Sequence, residues 1–396
     1  MTPARRDDLM TVYRDGLLHD VLPFWAKHGW DREKGGMLTG LDRDGTLIDD
    51  DKAVWFQGRA AWTFATAYRL AEPREEWREV ALSCADFLRK HAYGPEGKMY
   101  FTLTRGGQPL RMRRYVFSES FAAIGFAACS KITDDETLAT DAWRAWETYL
   151  HHSFTPGVMV PKTEPDTRPA KGLAPWMIAM ATAQELRELL GDQEVGGATC
   201  TQWIDRAIAE IENDFFKPDL GALMEMVAPD GSLLDHFDGR QLNPGHAIEA
   251  AWFILHEAKH RGGEARLVKL GCSILDGMWK LGWDQEHGGI LYNVDVRDLW
   301  VQEYWHHMKF WWPHNEAVIA TLLAWDLTKA AKYLEWHTLV HDWSHEHFAD
   351  PEHGEWLGYL DREGRPTSTL KGGTFKGPFH LPRMQMYCWK LLEGMS

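Results

Sequence analysis

Residues 31–47 read DREKGGMLTGLDRDGTL, an acidic opening followed by a glycine pair, a short alternating apolar run and a second glycine turn. This order of residues is typical of a small β-hairpin. Related segments recur along the chain, each anchored on one glycine: Gly36, Gly97, Gly157, Gly221, Gly288 and Gly354. Because the anchors lie 60 to 67 residues apart, six units of similar length fill the chain.

The segments between these hairpins have a helical apolar period. Residues 54–71, VWFQGRAAWTFATAYRLA, are apolar nearly all round, as expected of an enclosed helix. Residues 75–92, EEWREVALSCADFLRKHA, are charged on one face, as expected of a helix that faces solvent. The same order recurs in the later units, and the two terminal helices can pair to close a ring. The pattern therefore predicts an all-α fold, an (α/α)6 barrel of six inner and six outer helices with short β-hairpin loops, as a single domain over residues 1–396.

The composition restricts the partners and the compartment. The chain has 43 Lys and Arg against 58 Asp and Glu, a net charge of −15, which argues against nucleic acid or an anionic membrane as the main partner. Its five cysteines show no CxxC spacing, and neither a signal core nor an uncharged apolar run of 18 residues is found. These observations predict a soluble cytoplasmic protein. The unusual feature is the abundance of aromatic and imidazole groups, with 21 Trp and 19 His.

In the predicted barrel, all inner helices begin at the same mouth, where polar and aromatic residues would converge. Aromatic faces suit the apolar faces of a sugar ring, and polar groups between them suit its hydroxyls. We therefore expect the mouth to bind a small sugar. The candidate contacts are Trp55, Gln57, Arg59, Glu119, Trp176, Asn243, His246, Trp312, His314, Glu316, His380 and Arg383. Lys376, in GGTFKG at 372–377, is a further candidate on a segment over the mouth.

At these positions the sequence resembles the N-acylglucosamine 2-epimerase family, whose animal members are also called renin-binding proteins. The most specific stretches are VWFQGR at 54–59, VFSESF at 116–121, GRQLNPGHAIEAAWF at 239–253, KFWWPHNEA at 309–317, and GEWLGYLDREG with KGGTFKGPFHLPR between 354 and 383. The resemblance implies an (α/α)6 barrel that interconverts C2-epimeric sugars, here N-acyl-D-glucosamine and N-acyl-D-mannosamine, without metal or redox cofactor. It also implies a homodimer.

The resemblance assigns roles by motif. Arg59 matches the arginine at the sugar's carbonyl end, His246 and His380 match the two acid/base histidines, and Glu316 matches a supporting carboxylate. ATP is an effector in N-acylglucosamine members through a Gly/Lys-rich loop. The corresponding region here, VPKTEPDTRPAKGLAPW, offers only Lys162, Lys171 and Gly172.

The chemistry agrees with these residue types, since inversion at C2 removes a proton beside the open-chain carbonyl and returns one to the opposite face. Histidine has an ordinary pKa suited to both steps, and arginine is a fixed cation for the charge that develops on O1. Aldose–ketose isomerisation needs the same proton abstraction, so a mannose/glucose-type epimerase or isomerase is an alternative. A glycoside hydrolase using Glu119 and Glu316 and a non-enzymatic binding protein are further alternatives.

Two histidine-rich segments are interpreted as non-catalytic. HEAKH at 256–260 matches the HExxH zinc pattern, but it falls at the far end of an inner helix, away from the mouth. HDWSHEHF at 341–348 places His341 and His345 one turn apart on an outer helix, which predicts a solvated face. No metal site is expected.

Overall fold

The computed structural model describes residues 1–395, and its main elements are fourteen α-helices. They are α1 (Pro3–Asp15), α2 (Leu22–His28), α3 (Val54–Leu70), α4 (Glu75–His91), α5 (Phe117–Cys129), α6 (Thr137–Phe154), α7 (Ala174–Leu190), α8 (Cys200–Glu210), α9 (Phe237–Arg240), α10 (Pro244–His260), α11 (Ala265–Gly282), α12 (Trp311–Thr328), α13 (Ala331–His347) and α14 (His380–Glu393). A π-helical turn, Gly16–Val21, joins α1 to α2, and a second one, Ile211–Phe215, extends α8.

The inner layer is a closed ring of six helices, in which α3 contacts α5, α5 contacts α7, α7 contacts α10, α10 contacts α12, α12 contacts α14, and α14 returns to α3. Each inner helix carries one outer helix: α4 on α3, α6 on α5, α8 on α7, α11 on α10, α13 on α12 and α1 on α14. The predicted (α/α)6 barrel, closed by its terminal helices, is confirmed.

The two layers differ as the sequence pattern predicts. Nearly every residue of α12 from Trp311 to Ala324 is buried, since neighbours surround this helix. In α4, by contrast, the buried side chains from Trp77 to Leu88 lie on one stripe. An enclosed helix must be apolar all round, and an outer helix only along the stripe that it buries.

Fifteen strands of two or three residues lie in the loops. They are β1 (Gly40–Leu41), β2 (Leu47–Asp49), β3 (Lys52–Ala53), β4 (Thr102–Leu103), β5 (Pro109–Arg111), β6 (Lys171–Gly172), β7 (Glu194–Val195), β8 (Ala198–Thr199), β9 (Phe216–Lys217), β10 (Ala222–Leu223), β11 (Met226–Val227), β12 (Gln241–Leu242), β13 (Val294–Asp295), β14 (Lys309–Phe310) and β15 (Tyr359–Leu360). Three of the six predicted hairpins form as pairs of consecutive strands, β1–β2, β4–β5 and β9–β10, whereas the strands that follow Gly288 and Gly354 pair with other loops and no strand forms around Gly157.

Several other strands join one unit to the next. The strand before an inner helix pairs antiparallel with a strand in the following loop region, as β3–β4, β6–β11, β12–β13 and β14–β15. Two backbone hydrogen bonds join the last unit to the first. The N–H of Lys371 donates to the carbonyl of Leu41, and the N–H of Leu41 donates to the carbonyl of Gly372. The loops therefore close the ring together with the helices.

Buried lysines reinforce these junctions. Nζ of Lys52 lies 2.9 Å from Asp31, Nζ of Lys309 lies 3.1 Å from Asp284, and Nζ of Lys371 lies 3.0 Å from Asp350, with each lysine fully buried. An arginine of the next unit binds the same carboxylates: Arg105, Arg362 and Arg43 respectively. The three carboxylates thus connect adjacent units by charge as well as by strand pairing.

The histidines of α13 do not form the solvated face that the sequence predicts. Of the two residues in that prediction, His341 is buried and His345 is half-buried. The hydroxyl of Tyr13 in α1 lies 2.8 Å from Nδ1 of His341 and 3.1 Å from Nε2 of His337, which is also buried. Burial lowers the pKa of His337 to about 4, so this cluster packs as neutral imidazoles between α1 and α13.

The five cysteines are all free thiols, in agreement with the sequence-based expectation. None of the helices within residues 1–395 combines the length and the apolar character that a membrane span needs.

Candidate active site

A cavity of about 1160 Å³ occupies the interior of the barrel. Its upper part lies at the N-terminal ends of the inner helices, where Trp55, Trp311 and Trp312 form aromatic walls together with Tyr292 and Phe375. Of the sequence-predicted site residues, six line this cavity: Trp55, Arg59, His246, Trp312, His380 and Arg383. The mouth therefore combines aromatic and polar groups, as the sequence predicts for a sugar-binding site.

His380, the first residue of α14, is bound to a buried carboxylate. Its Nδ1 lies 2.7 Å from Oε1 of Glu316, which itself comes from the first turns of α12. A carboxylate in this position accepts the Nδ1 proton and leaves the Nε2 lone pair free. Burial, together with the positive charges of Arg383 and Arg59, lowers the pKa of His380 well below its usual value. His380 is therefore neutral near pH 7 and can act as a base.

His246, in the first turn of α10, is bound to a different carboxylate. Its Nδ1 lies 3.1 Å from Oε1 of Glu225, which follows strand β10 in a loop. Burial by itself lowers the pKa of this imidazole, but the charge of Glu225 outweighs that effect and raises it. His246 thus favours the protonated form more than His380 does, and it suits the role of proton donor.

Trp312 lies between the two histidines. Its ring centroid is 4.9 Å from that of His246 and 5.8 Å from that of His380. The helices that carry them, α10 and α14, are not neighbours in the ring, because α12 separates them. The two imidazoles therefore approach the cavity from different sides.

Arg59 presents its guanidinium to the cavity among aromatic rings. Its central carbon lies 4.0 Å from the ring centroid of Phe121 and 5.1 Å from that of Phe379. Burial lowers the pKa of Arg59 to about 9, so it remains a cation at neutral pH. Its buried Nε has no hydrogen-bond partner among residues 1–395. Arg59 as a whole lines the cavity, so its guanidinium can donate to an oxygen of a bound molecule.

Arg383, one turn after His380, holds the carboxylates of the site together. Its Nη2 donates to Oε1 of Glu249 at 2.6 Å and to Oε1 of Glu316 at 2.7 Å. The other oxygen of Glu316 accepts a hydrogen bond from the indole of Trp252 at 2.7 Å. The ligand atoms of Glu249, Glu316 and His380 lie within 4.8 Å of one another, a spacing that suits a metal ion. However, Nη2 of Arg383 already donates to both carboxylates, so a metal ion would have to displace this cation, and the donor set fits a metal poorly.

Three predicted contact residues do not line the cavity, contrary to the sequence-based assignment. The side chains of Gln57, Glu119 and His314 instead anchor hairpins: each accepts a backbone N–H, from Met37 at 2.6 Å, Met99 at 2.6 Å and Ile290 at 2.9 Å. Burial lowers the pKa of His314 to about 3, and it raises that of Glu119 to about 7. These groups hold the loops of the mouth and do not contact a ligand in it.

Three more predicted contacts also have structural roles. The side chain of Asn243 caps α10 by accepting from the backbone N–H of His246 at 3.0 Å. Trp176 packs on Phe154, with ring centroids 4.4 Å apart, and does not line the cavity. Nζ of Lys376 lies 2.7 Å from Oε1 of Glu355, with both side chains almost fully buried, so it is not a free group on a lid.

Two carboxylates of the site, Glu225 and Glu249, are not among the residues predicted from the sequence. Glu249 stands one turn after His246 in an otherwise apolar stretch of α10, and an isolated charge at that spacing is a usable signal. Glu225 lies in a hairpin loop, where a single acidic residue is common, and only the folded structure places it beside His246. The HEAKH segment is also explained by the structure, because Glu257 binds Arg187 at 2.7 Å and is not free to act as a base.

An (α/α)6 barrel with two carboxylate-bound histidines and a buried arginine in an aromatic cavity has the features of an enzyme that converts sugars by proton transfer. The comparisons with known proteins agree with this class. The family model for N-acylglucosamine 2-epimerase (GlcNAc 2-epimerase) matches residues 26–380. The chain is 35% identical to N-acylglucosamine 2-epimerase from Bos taurus, over 99% of this chain and 94% of that protein. It belongs to the N-acylglucosamine 2-epimerase family.

More distant relatives extend this result. The chain is 27% identical to cellobiose 2-epimerase from Bacteroides fragilis over 94% of its length and 95% of that protein. The solved structure of cellobiose 2-epimerase from Bacillus thermoamylovorans superimposes with a TM-score of 0.84 at 20% identity, over 98% of this chain and 100% of that one, which shows the shared fold. The chain is therefore a sugar 2-epimerase, an isomerase by class. The alternatives of a hydrolase and of a binding protein are not favoured, and Glu119 lies outside the cavity in which a hydrolase would need it.

Proposed function

We propose that this epimerase interconverts N-acyl-D-glucosamine and N-acyl-D-mannosamine by a two-base mechanism with His380 and His246. The observation that carries the proposal is the pair of histidines on non-adjacent helices, each bound to its own carboxylate, beside Arg59. Support for the acylated substrate comes from the higher identity to N-acylglucosamine 2-epimerase of Bos taurus, 35%, than to cellobiose 2-epimerase of Bacteroides fragilis, 27%.

In the first step, neutral His380 removes the proton from C2 of the open-chain sugar. The electron pair of the broken C–H bond forms the C1–C2 double bond, and the carbonyl electrons move to O1. Arg59 lies in the same cavity and stabilises the negative charge on O1. Glu316 holds the Nδ1 side of His380, so Nε2 accepts the proton and the imidazolium that forms is paired with a carboxylate.

In the second step, protonated His246 gives its proton to C2 from the opposite face, and the carbonyl at C1 re-forms. The inverted sugar then leaves the cavity, and both histidines return to their initial states by exchange with solvent. In the reverse direction the two histidines exchange roles. With an acylated amine at C2, ordinary ketose formation is blocked, so epimerisation is the outcome.

We also propose that turnover needs no cofactor, because every proton transfer above is assigned to a side chain of this chain. ATP is not required for the chemistry. Of the two lysines in the loop that corresponds to the family's effector site, Lys171 is already paired with Glu210 at 2.7 Å and with Asp214, and Lys162 is exposed. A homodimer in the cytoplasm remains a prediction from the sequence, and light scattering coupled to gel filtration tests the dimer.

The experiment that tests the function follows the C2–H signal by NMR in D2O. The protein is incubated separately with N-acetylglucosamine, N-acetylmannosamine, mannose and cellobiose, each with and without ATP. We expect deuterium at C2 together with epimer formation for the two acetylated sugars, and the same rate within about twofold when ATP is added. Ketose formation, or faster turnover of mannose or cellobiose, contradicts the proposed substrate.

A further inference from the structure

The cavity continues well below the catalytic groups. Its lining on α14 runs from His380 through Arg383 and Met386 to Lys390, and its lining on α3 runs from Trp55 to Arg69. At a rise of 1.5 Å per residue, the seven residues from Arg383 to Lys390 correspond to about 10 Å of depth. The total volume of about 1160 Å³ exceeds the roughly 300–1,000 Å³ typical of pockets for drug-sized ligands. A monosaccharide in the upper part leaves the lower part free.

The part of the cavity directly below the catalytic groups, the deep chamber, is mainly apolar, whereas charged residues such as Arg69, Glu188, Lys259 and Lys390 line the far end. It is lined by Trp62, Ile124, Met177, Ile178, Ala181 and Met386. Ile178 and Ala181 are only half-buried although they lie in the middle of an inner helix, so the surface that they expose faces the chamber. Polar groups enter farther down, where Glu185 accepts a hydrogen bond from the indole of Trp62 at 2.8 Å. An apolar surface inside a barrel is suited to an alkyl group.

The position of Arg59 fixes which part of the sugar meets the deep chamber. If O1 contacts Arg59, as the proposed function requires, then C1 and C2 are the deepest carbons of the sugar. The acyl group is attached to the nitrogen on C2 and therefore extends from the catalytic layer. One turn below Arg59 on the same helix is Trp62, the first of the chamber's walls.

We propose that the deep chamber receives the N-acyl group of the substrate and that it accepts linear acyl chains longer than acetyl. This inference rests on the proposed function, and it adds the class of N-substituent that the enzyme takes. Each methylene that moves from water into an apolar chamber favours binding by about fourfold. The specificity constant kcat/KM should thus hold or rise from N-acetyl to N-hexanoyl, until the chain reaches the polar end near Glu185.

The test compares kcat/KM for N-acetyl-, N-butanoyl- and N-hexanoyl-D-mannosamine on the intact protein. We expect the butanoyl and hexanoyl sugars to be turned over at least as efficiently as the acetyl sugar. A fall of 100-fold or more between acetyl and butanoyl overturns the inference. If the acetyl sugar itself shows no exchange at C2, the proposed function fails, and this result is distinct from the loss of the longer substrates alone.

A variant provides the second arm. Ala181→Phe fills the chamber from α7 and should lower kcat/KM for the hexanoyl sugar at least 10-fold more than kcat/KM for the acetyl sugar, because only the longer chain reaches that depth. Retained acetyl turnover also reports that the variant is folded. Ala209→Phe, at an exposed position of the outer helix α8, is the matched control and should leave the whole series unchanged. If Ala181→Phe turns over the acetyl and hexanoyl sugars in the wild-type ratio, the acyl group does not occupy the chamber. If Ala181→Phe does not fold, the comparison of the three acyl sugars on the wild-type protein decides whether the chamber accepts longer acyl chains.

Discussion

The two active-site histidines have the same side chain, but their surroundings shift the two pKa values in opposite directions. The guanidinium groups of Arg383 and Arg59, together with burial, keep His380 neutral, whereas the carboxylate of Glu225 favours the protonated form of His246. A base and an acid of the same residue type therefore coexist at one pH. This difference is what a two-base epimerase needs at the start of a turnover in which His380 is the base, and the reverse direction starts from the opposite protonation states.

The pH dependence of the reaction follows from that difference. The rate should fall on the acid side as His380 becomes protonated, below the ordinary histidine pKa, and on the alkaline side as His246 loses its proton, above that value. Glu225→Gln removes the charge that raises the pKa of His246, so the alkaline limb of kcat/KM should move to lower pH while the acid limb stays. Glu286→Gln, at an exposed position, is the control. An unmoved alkaline limb contradicts the assignment of His246 as the acid.

Arg59 should contribute to the transition state and not to the fold. Removing one donor to a developing oxyanion costs about 10² to 10³ in rate. Arg59→Ala should therefore lower kcat by that factor, with an unchanged circular dichroism spectrum, whereas Arg206→Ala on the exposed face of α8 should keep full activity. A loss of less than tenfold for Arg59→Ala shows that O1 is not held there.

Helical geometry explains which site residues could be predicted from the sequence. Trp55 and Arg59 are four residues apart and share the face of α3 that meets the cavity, but Gln57 is two residues from each and points about 200° away. His314 and Glu119 were assigned to the mouth for the same reason, that they start an inner helix. Rotation about the helix axis could have excluded these three. Glu225 could not have been found in this way, because it reaches His246 from a loop.

At the scale of the elements, the junctions between units were the least predictable feature. The hairpins were expected from their glycines, but strands of two residues that pair across units, such as β14 with β15, have no periodicity to recognise. Lys52, Lys309 and Lys371 are fully buried, although lysine is rarely buried without a charged partner. Their partners lie in hairpins that only the ring closure brings near.

These buried lysine–aspartate ion pairs should contribute to the free energy of unfolding. Lys309→Met removes one of the two charged partners of the buried carboxylate of Asp284 and leaves Arg362. Because leaving a buried charge with no partner costs about 3–5 kcal/mol, we expect a loss of stability of up to that size. The matched control is Lys332→Met, since Lys332 pairs with Asp276 at the surface, where such pairs contribute at most about 1 kcal/mol. Urea unfolding followed by fluorescence measures both changes. Equal losses for the two variants contradict the stabilising role of the buried pair.

At the scale of the whole molecule, the repeat of about 60 to 67 residues was sufficient to predict the ring. Five apolar helices are each followed by an amphipathic one, and the sixth, α14, pairs with the N-terminal helix α1, so the two layers bury their surfaces when the chain closes on itself. The contact of α1 with α14 and the backbone bonds between Lys371 and Leu41 complete that closure. The repeat does not predict the shape of the cavity inside the ring.

Closure at both layers implies that residues 1–396 unfold as one unit, which remains a prediction of the single-domain interpretation. Because the last unit pairs with the first, loss of any unit exposes the apolar faces of its neighbours. Differential scanning calorimetry should show one transition whose calorimetric and van 't Hoff enthalpies agree. Two separable transitions would indicate that part of the ring folds independently.

The central claim is that His380 and His246 act on opposite faces of C2, and exchange at C2 in single-histidine variants tests it most directly. His380→Asn and His246→Asn are each incubated in D2O with N-acetylglucosamine and with N-acetylmannosamine. We predict that epimer formation falls by about 10² to 10⁴ in both variants, while each variant still exchanges C2–H in one epimer, a different one for each. Exchange of the same epimer by both variants, or epimerisation near the wild-type rate by either one, would contradict the account.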